Sequence, residues 1–395
     1  MRTPVVVLKV MSGRCAALGT VRSLGRMGVP VFLVHGDRRA PAARSRYLAG
    51  RSIWDVERAS DDDRTQRLLD VAERIGARPV LIPTDDVGAL FVADHAERLR
   101  GSFSFPDQPP GLARTLANKH LLHDACERAG VATARMAVPA SRRDVERFCD
   151  EAGLPVVAKA VDPIALGSGM RSVAILQARD EVVAYTDAAR EAGVGIMLQE
   201  HIPGGPESVW MFNGYFGEES RCMFGGVGRK LRQYPPYTGM TSLGECVRND
   251  EVEETSRRFL SGLGYRGVVD MGFRFDERDG RYKLLDVNPR IGAAFRLFVA
   301  PAGMDVARAE YLDLTGREVP ASEVRAGRRW IAELHDPASS FLYWRDGRLT
   351  AGAWIRSLRG VDEKGSFARD DLRGSMASYR SDLGRAVRGL LRRPR

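Results

Sequence analysis

Long apolar runs, clustered cysteines and histidine-rich segments are all missing from this chain of 395 residues, and each absence removes a class of function. No stretch approaches the roughly 20 apolar residues needed to span a bilayer. The start Met1-Arg-Thr-Pro lacks the apolar core of a secretory signal. A cytoplasmic protein without transmembrane segments is expected. Cys15, Cys126, Cys149, Cys222 and Cys246 are scattered without ligand spacing, which suits reduced thiols better than a disulfide framework or a zinc site. His201 has no neighbouring His or Cys at ligand spacing and reads neither as a metal ligand nor as a general base. A Gly-x-Gly-x-x-Gly turn after the first strand is absent, so a dinucleotide site is weakly supported.

What the chain does contain is charge of both signs, 60 basic and 51 acidic residues with a net charge of +9. Anionic substrates fit this balance, and nucleic acid does not follow from it. Part of the excess is local, because Arg385 to Arg395 holds five arginines and no acid. That segment reads as a solvated helix end, with attraction to an anionic surface as the alternative. A 44% hydrophobic content supplies cores for two or three domains.

The N-terminal part alternates strand and helix patterns: a strand at Pro4 to Leu8, a helix at Ala16 to Met27 and a strand at Val29 to Val34. A further helix at Thr65 to Ile75 leads to a strand at Pro79 to Ile82. This is an open α/β domain over residues 1–110. At the end of its last strand, Asp85 and Asp86 read either as a helix cap or as groups facing a substrate.

The most informative stretch is Tyr282-Lys-Leu-Leu-Asp-Val-Asn-Pro-Arg290. Strand alternation places Asp286, Asn288 and Arg290 on one face. A carboxylate and an amide oxygen suit Mg²⁺, and an arginine holds phosphoryl oxygens with a forked pair of hydrogen bonds. An ordinary edge strand entering a turn shows the same pattern. Upstream, Gly267 to Phe275 reads as a strand and Asp276 to Gly280 as a turn, forming a hairpin that brings Asp270 beside Asp286 and Asn288. Two carboxylates held close repel unless a cation lies between them.

In these residues the chain resembles the ATP-grasp superfamily, particularly its carboxylate-amine ligase branch that includes D-aspartate ligase-like proteins. The resemblance covers roughly residues 111 to 310. It implies an α/β fold with α+β lobes, an ATP-grasp fold carrying an N-terminal open α/β domain. It also implies nucleotide-binding lobes over 111–315 and a C-terminal extension over 316–395 that packs on the body.

The resemblance further implies Mg²⁺ on Asp270, Asp286 and Asn288, and phosphate contact by Arg290. Counting through the hairpin puts Gly272 at the first metal-ligand position of some relatives, and Asp270 lies two residues earlier on the same face. By the same resemblance Lys119 and Lys159 bind ATP phosphates, and Gly167, Ser168 and Gly169 form a loop closing over the triphosphate. Gln199, Glu200 and the backbone near Ile202 read adenine, Glu207 takes the ribose, and Lys230 or Arg232 approaches ATP or an acyl phosphate. Arg296 is a second candidate for a substrate carboxylate or phosphate.

The loop Gln233 to Gly239 is expected to line an acceptor pocket. Trp330, Phe341, Tyr343, Trp344 and Trp354 suggest that the C-terminal region folds back, as a cover for the acceptor site or a homodimer contact. The expected activity is ATP- and Mg²⁺-dependent joining of a small-molecule or peptide carboxylate to an amine, with no nucleic-acid partner. A small-molecule kinase and a non-catalytic nucleotide-binding regulator are the alternatives.

Overall fold

A computed structural model describes residues 2–11, 16–161 and 173–391, with side chains described as far as residue 384. The chain forms two compact units. One comprises Met1–Asn118, Gly205–Phe273 and Asp286–Arg395, and the other Lys119–Gly204 with Arg274–Leu285.

The first unit opens with a parallel sheet in the order Leu48–Ile53, Val31–His35, Val5–Leu8 and Val80–Pro83. Three of these strands match the expected ones to within two residues. Leu48–Ile53 was not anticipated, because its Leu-Ala-Gly-Arg-Ser-Ile pattern is too polar for a buried strand and sits on the sheet edge. Every residue of Val5–Leu8 is buried, as expected for a central parallel strand covered on both faces.

The unit's larger, seven-stranded sheet runs Arg281–Asn288, Gly267–Asp276, Val209–Phe216, Cys222–Tyr234, Met240–Cys246, Arg329–Ile331 and Val361–Lys364. Its first two strands are the expected hairpin, whose outer ends and turn belong to the second unit. Residues 316–395 therefore supply two strands of this sheet as well as helices. Trp330 and Tyr343 are buried, and the Trp354 indole donates to Asp336 Oδ2 at 3.0 Å. Phe341 and Trp344 are instead more than half exposed. After Arg290 the chain makes one 3-10 turn, Phe295–Leu297.

The second unit carries an antiparallel sheet in the order Met136–Ala137, Ile196–Glu200, Val156–Ala160 and Val173–Leu176. Helices Arg142–Ala152 and Arg179–Glu191 pack on it. Ser141 caps the first of these through the backbone N–H of Asp144, while the Asp144 carboxylate accepts from the Ser141 N–H. Val145, Phe148, Val182, Val156, Ala158 and Leu198 form the core between helices and sheet.

Asp276, which the sequence puts at the start of the hairpin turn, is fully buried. It accepts from Lys283 Nζ at 2.6 Å and from Arg278 Nη2 at 2.6 Å, and Glu200 accepts from the same two residues at 3.1 and 3.2 Å. The Arg278 hydrogen bonds hold the Asp276 carboxyl well below the usual carboxylate range despite burial, with Lys283 adding to the effect. A carboxyl whose folded pKa is depressed stabilises the fold above its unfolded value and loses that contribution as pH falls beneath it.

Asp276→Asn should therefore destabilise the protein at pH 7 by about 3 kcal/mol, because it removes one partner of a buried ionic cluster. The gap in melting temperature between wild type and variant should narrow as pH drops below about 4. A gap unchanged between pH 7 and pH 3.5 in a thermal-melt series would overturn the assignment.

Candidate functional site

In Gly267–Asp276, Val269, Met271 and Phe273 are buried, whereas Asp270 and Gly272 are half-buried. In the partner strand Val287 is buried, and Asp286 and Asn288 are half-buried. The alternation brings Asp270, Asp286 and Asn288 together in the first unit, as the sequence led us to expect. Asn288 joins the two strands. Its Nδ2 donates to Asp286 Oδ2 at 3.1 Å and to the Asp270 carbonyl at 3.2 Å. These bonds use the amide nitrogen and leave Oδ1 as the atom that could face a cation.

Two glycines make room for the carboxylates. A Cβ on Gly272 would lie 2.5 Å from Asp286 Oδ1, and one on Gly292 would lie 2.5 Å from the Asp270 carboxyl carbon. A side chain at position 272 would thus press on Asp286 as it is placed here.

Charge completes the arrangement. Burial, reinforced by the like charge of Asp286, pushes the Asp270 carboxyl up to about 6, against the pull of Arg290, Lys230 and Asn213. Burial pushes Lys230 down, and Asp286 and Asp270 oppose it. The Lys230 ammonium donates to the Gly239 carbonyl at 3.2 Å. Arg290 donates to Asp86 through Nε at 2.9 Å and Nη2 at 3.4 Å, and its Nη1 lies 3.6 Å from Asp270 Oδ2. Burial works against the Arg290 charge, and these carboxylates outweigh it.

Among the described residues no group of three or more His, Cys, Asp or Glu side chains forms a metal site. An ion here would rest on two carboxylates and the Asn288 amide oxygen. That donor set is all oxygen, and the repulsion already felt by Asp270 is the kind a divalent cation relieves, so the residues fit Mg²⁺.

Other predicted residues fall elsewhere. Arg232 does not join the site: it is buried in a bidentate pair with Asp336, at 2.8 and 2.9 Å, and donates to Ser357 Oγ at 2.8 Å. Arg296, the other arginine offered for substrate, is held by Glu363 at 2.8 and 3.0 Å and by Asp305. A guanidinium so engaged is structural. Asp85 is the helix cap, accepting from the N–H of Gly88, Val10 and Met11 at 2.8 to 3.0 Å. Asp86 holds Arg290.

In the second unit, Lys159 Nζ donates to Gln199 Oε1. Val157 pairs with Gln199 and Lys159 with Met197, so the two polar side chains are diagonal neighbours on one sheet face. Glu200 points the other way, into the cluster with Lys283 and Arg278, and accepts from the Arg135 N–H at 3.1 Å. Its carboxylate is engaged in that cluster, on the opposite sheet face from Gln199. Lys119 is exposed at the start of helix Lys119–Arg128, Ile202 is buried, and Glu207 in the first unit is exposed. Gly167, Ser168 and Gly169 lie outside the described residues. Sequence reasoning missed Asn213, fully buried mid-strand, whose Nδ2 donates to the Val269 carbonyl at 3.2 Å beside Asp270. The signal was an amide inside the apolar run Val-Trp-Met-Phe-Asn213.

No family model matches the chain. A D-aspartate ligase of Enterococcus faecium is 25% identical over 243 residues, which is 58% of this chain and 57% of that protein. The match thus spans little more than half the length of that relative. Solved structures align over more of the chain. The biotin carboxylase domain of Hydrogenobacter thermophilus 2-oxoglutarate carboxylase, in complex with MgADP and bicarbonate, aligns with a TM-score of 0.59 and 17% identity. That alignment covers 83% of this chain and 74% of that one. N5-carboxyaminoimidazole synthetase from Staphylococcus aureus aligns with a TM-score of 0.61 and 12% identity, covering 82% and 81%. Biotin carboxylase from Campylobacter jejuni gives 0.61 and 16%, covering 82% and 74%. With its open α/β N-terminal part, its antiparallel second unit and its large sheet bearing the carboxylate hairpin, the chain has the ATP-grasp fold.

Proposed function

We propose that the chain is an ATP-dependent ligase that joins a carboxylic acid to an amine through an acyl phosphate. The observation that carries this reading is the convergence of Asp270, Asp286 and Asn288 on one strand face, flanked by Lys230 and Arg290. The partial likeness to a D-aspartate ligase supports the choice of ligase over other ATP chemistry.

Asp270, Asp286 and Asn288 would hold Mg²⁺, which when bound neutralises phosphate oxygens. Lys230 and Arg290 place positive charge where a transferring phosphoryl group gains negative charge, and Asp86 fixes the direction of the Arg290 fork. Lys119, Lys159, Gln199, the Ile202 backbone and Glu207 are the proposed nucleotide contacts. A carboxylate oxygen of the acid attacks the γ-phosphorus and ADP leaves. The amine then attacks the carbonyl carbon, loses a proton, and expels phosphate that carries one oxygen of the acid. No protein nucleophile is needed. The observation favouring a non-catalytic nucleotide binder is Gly272, a residue without a side chain at the position where some relatives carry the first metal ligand.

Asp286→Asn should lower turnover by at least about 100-fold with the melting temperature retained, because it weakens charge placed for the reaction and not a packing contact. Asp270→Asn should raise the Mg²⁺ concentration needed for half-maximal rate. Wild-type rates at ordinary Mg²⁺ in both variants would remove the metal assignment.

The reaction itself is tested by supplying acid and amine pairs with ATP and reading product mass. ADP release should depend on the acid and rise with the amine, and hydroxylamine in place of the amine should yield a hydroxamate. With oxygen-18 in the acid's carboxylate, one labelled oxygen should appear in the released phosphate. Unlabelled phosphate accompanying genuine amide would exclude the acyl phosphate. A stable phosphorylated product would identify a kinase instead, and nucleotide binding without turnover over the whole panel a regulator.

A further inference from the structure

The helix Val306–Leu314 buries Val306, Ala307, Ala309 and Tyr311, and with them an acid, Glu310, which is only 3% exposed. Glu310 Oε2 has no hydrogen-bond partner. An unsatisfied buried carboxyl costs stability unless something compensates it, so such a group points to a ligand.

Glu310 lines a cavity of about 60 Å³ in the first unit, together with Ala89, Val92, Gln108, Tyr265 and Ile291. At roughly 10–15 Å³ per water, the space suits a molecule of a few heavy atoms. Its other polar walls are already matched. The Tyr265 hydroxyl donates to the Val268 carbonyl at 2.6 Å, and Gln108 Oε1 accepts from the Arg266 N–H at 3.4 Å. Arg290 also lines the cavity, but its charge is shared between Asp86 and Asp270. Asp313, which accepts from the Tyr215 hydroxyl at 2.5 Å, adds negative charge near Glu310. The charged and titratable groups acting on Glu310 are thus Asp313, Tyr215, Tyr265 and Arg290, and none supplies the missing counter-charge. An anion would meet a second acid here, and a neutral alcohol brings no positive charge that could draw the proton off Glu310.

We propose that this cavity binds a small primary amine, held as its ammonium ion on Glu310 with its apolar part against Ala89, Val92 and Ile291. The proposal goes beyond the ligase reading and its binding test needs no ATP. Where both hold, the cavity is the entry site of the acceptor amine. Burial pushes the free Glu310 carboxyl up to about 8, so at neutral pH it carries a proton. Binding then converts a carboxylic acid and an ammonium ion into a carboxylate–ammonium pair and one proton released to solvent.

The experiment is isothermal titration of the full chain with isopropylamine at pH 7, without nucleotide, in two buffers of different ionisation enthalpy. Saturable binding with close to one proton released per amine is expected, while 2-propanol releases no proton. Glu310→Gln keeps the shape and should weaken binding at least about 10-fold, a loss of roughly 1.4 kcal/mol, and abolish proton release. Ala93→Leu, which narrows the cavity without touching Glu310, should also prevent binding and decides the matter if the first variant fails to fold. Equal binding by wild type and either folded variant overturns the proposal. So does the absence of binding by isopropylamine, ethylamine and propylamine up to about 100 mM. Failure of the ligase screen with the amine binding intact would leave this site standing and remove only the ligase reading.

Discussion

Repulsion between Asp270 and Asp286 is the constraint around which the first unit is arranged. Neighbouring strands hold the two carboxylates on one face, and each surrounding residue moderates the cost. Asn288 donates to one carboxylate and to the other residue's backbone, fixing their separation. Lys230 and Arg290 supply opposite charge, yet neither saturates the pair. Lys230 is drawn down by its own burial, and Arg290 divides its fork between Asp86 and Asp270. Gly272 and Gly292 contribute by having no side chain, since a Cβ at either would strike a carboxylate. The outcome is a face with more negative charge than its neighbours neutralise, which is the condition for holding a cation and the phosphates it accompanies.

Arginine has two distinct uses in this chain, and partner geometry separates them. Arg232 with Asp336, Arg296 with Glu363, and Arg22 with Asp371 are pairs in which a largely buried guanidinium meets a carboxylate far away in sequence. These pairs tie residues 316–395 to strands and helices formed much earlier in the chain. Breaking one leaves a buried charge unmatched, so they fix one arrangement strongly whatever their net contribution to stability. Arg290, by contrast, spans a half-exposed Asp86 and a carboxylate of the site, and keeps a face toward the place where chemistry is proposed.

This distinction shows why the sequence was informative about the hairpin and misleading about several cations. Period-two alternation determines which side of a strand a residue occupies, so Asp270, Asp286, Asn288 and Arg290 could be placed on one face without tertiary information. Nothing local in Gly-Arg-Lys-Leu-Arg232 reveals that its last arginine meets an aspartate 104 positions later. The bulge between Lys230 and Arg232 also breaks the alternation that would have kept the two together. The burial of Asp276 was equally hidden. A turn position does not settle burial, and Lys283 and Arg278, close in sequence, enclose it.

Gln199 and Glu200 carry the argument one step further. They are adjacent, both polar and both buried, and sequence gave them one role. The antiparallel register divides them. Gln199 lies opposite Val157, on the face from which Lys159 projects, and Glu200 lies opposite Val156, on the face that also carries Ala158 and Leu198 of the hydrophobic core. A carboxylate on the core side has to be matched by cations, and Lys283 and Arg278 do so. An amide beside a strand lysine on the other face keeps that lysine directed without cancelling its charge. Of the two, only Gln199 shares a sheet face with Lys159, the side chain proposed to meet an anionic phosphate.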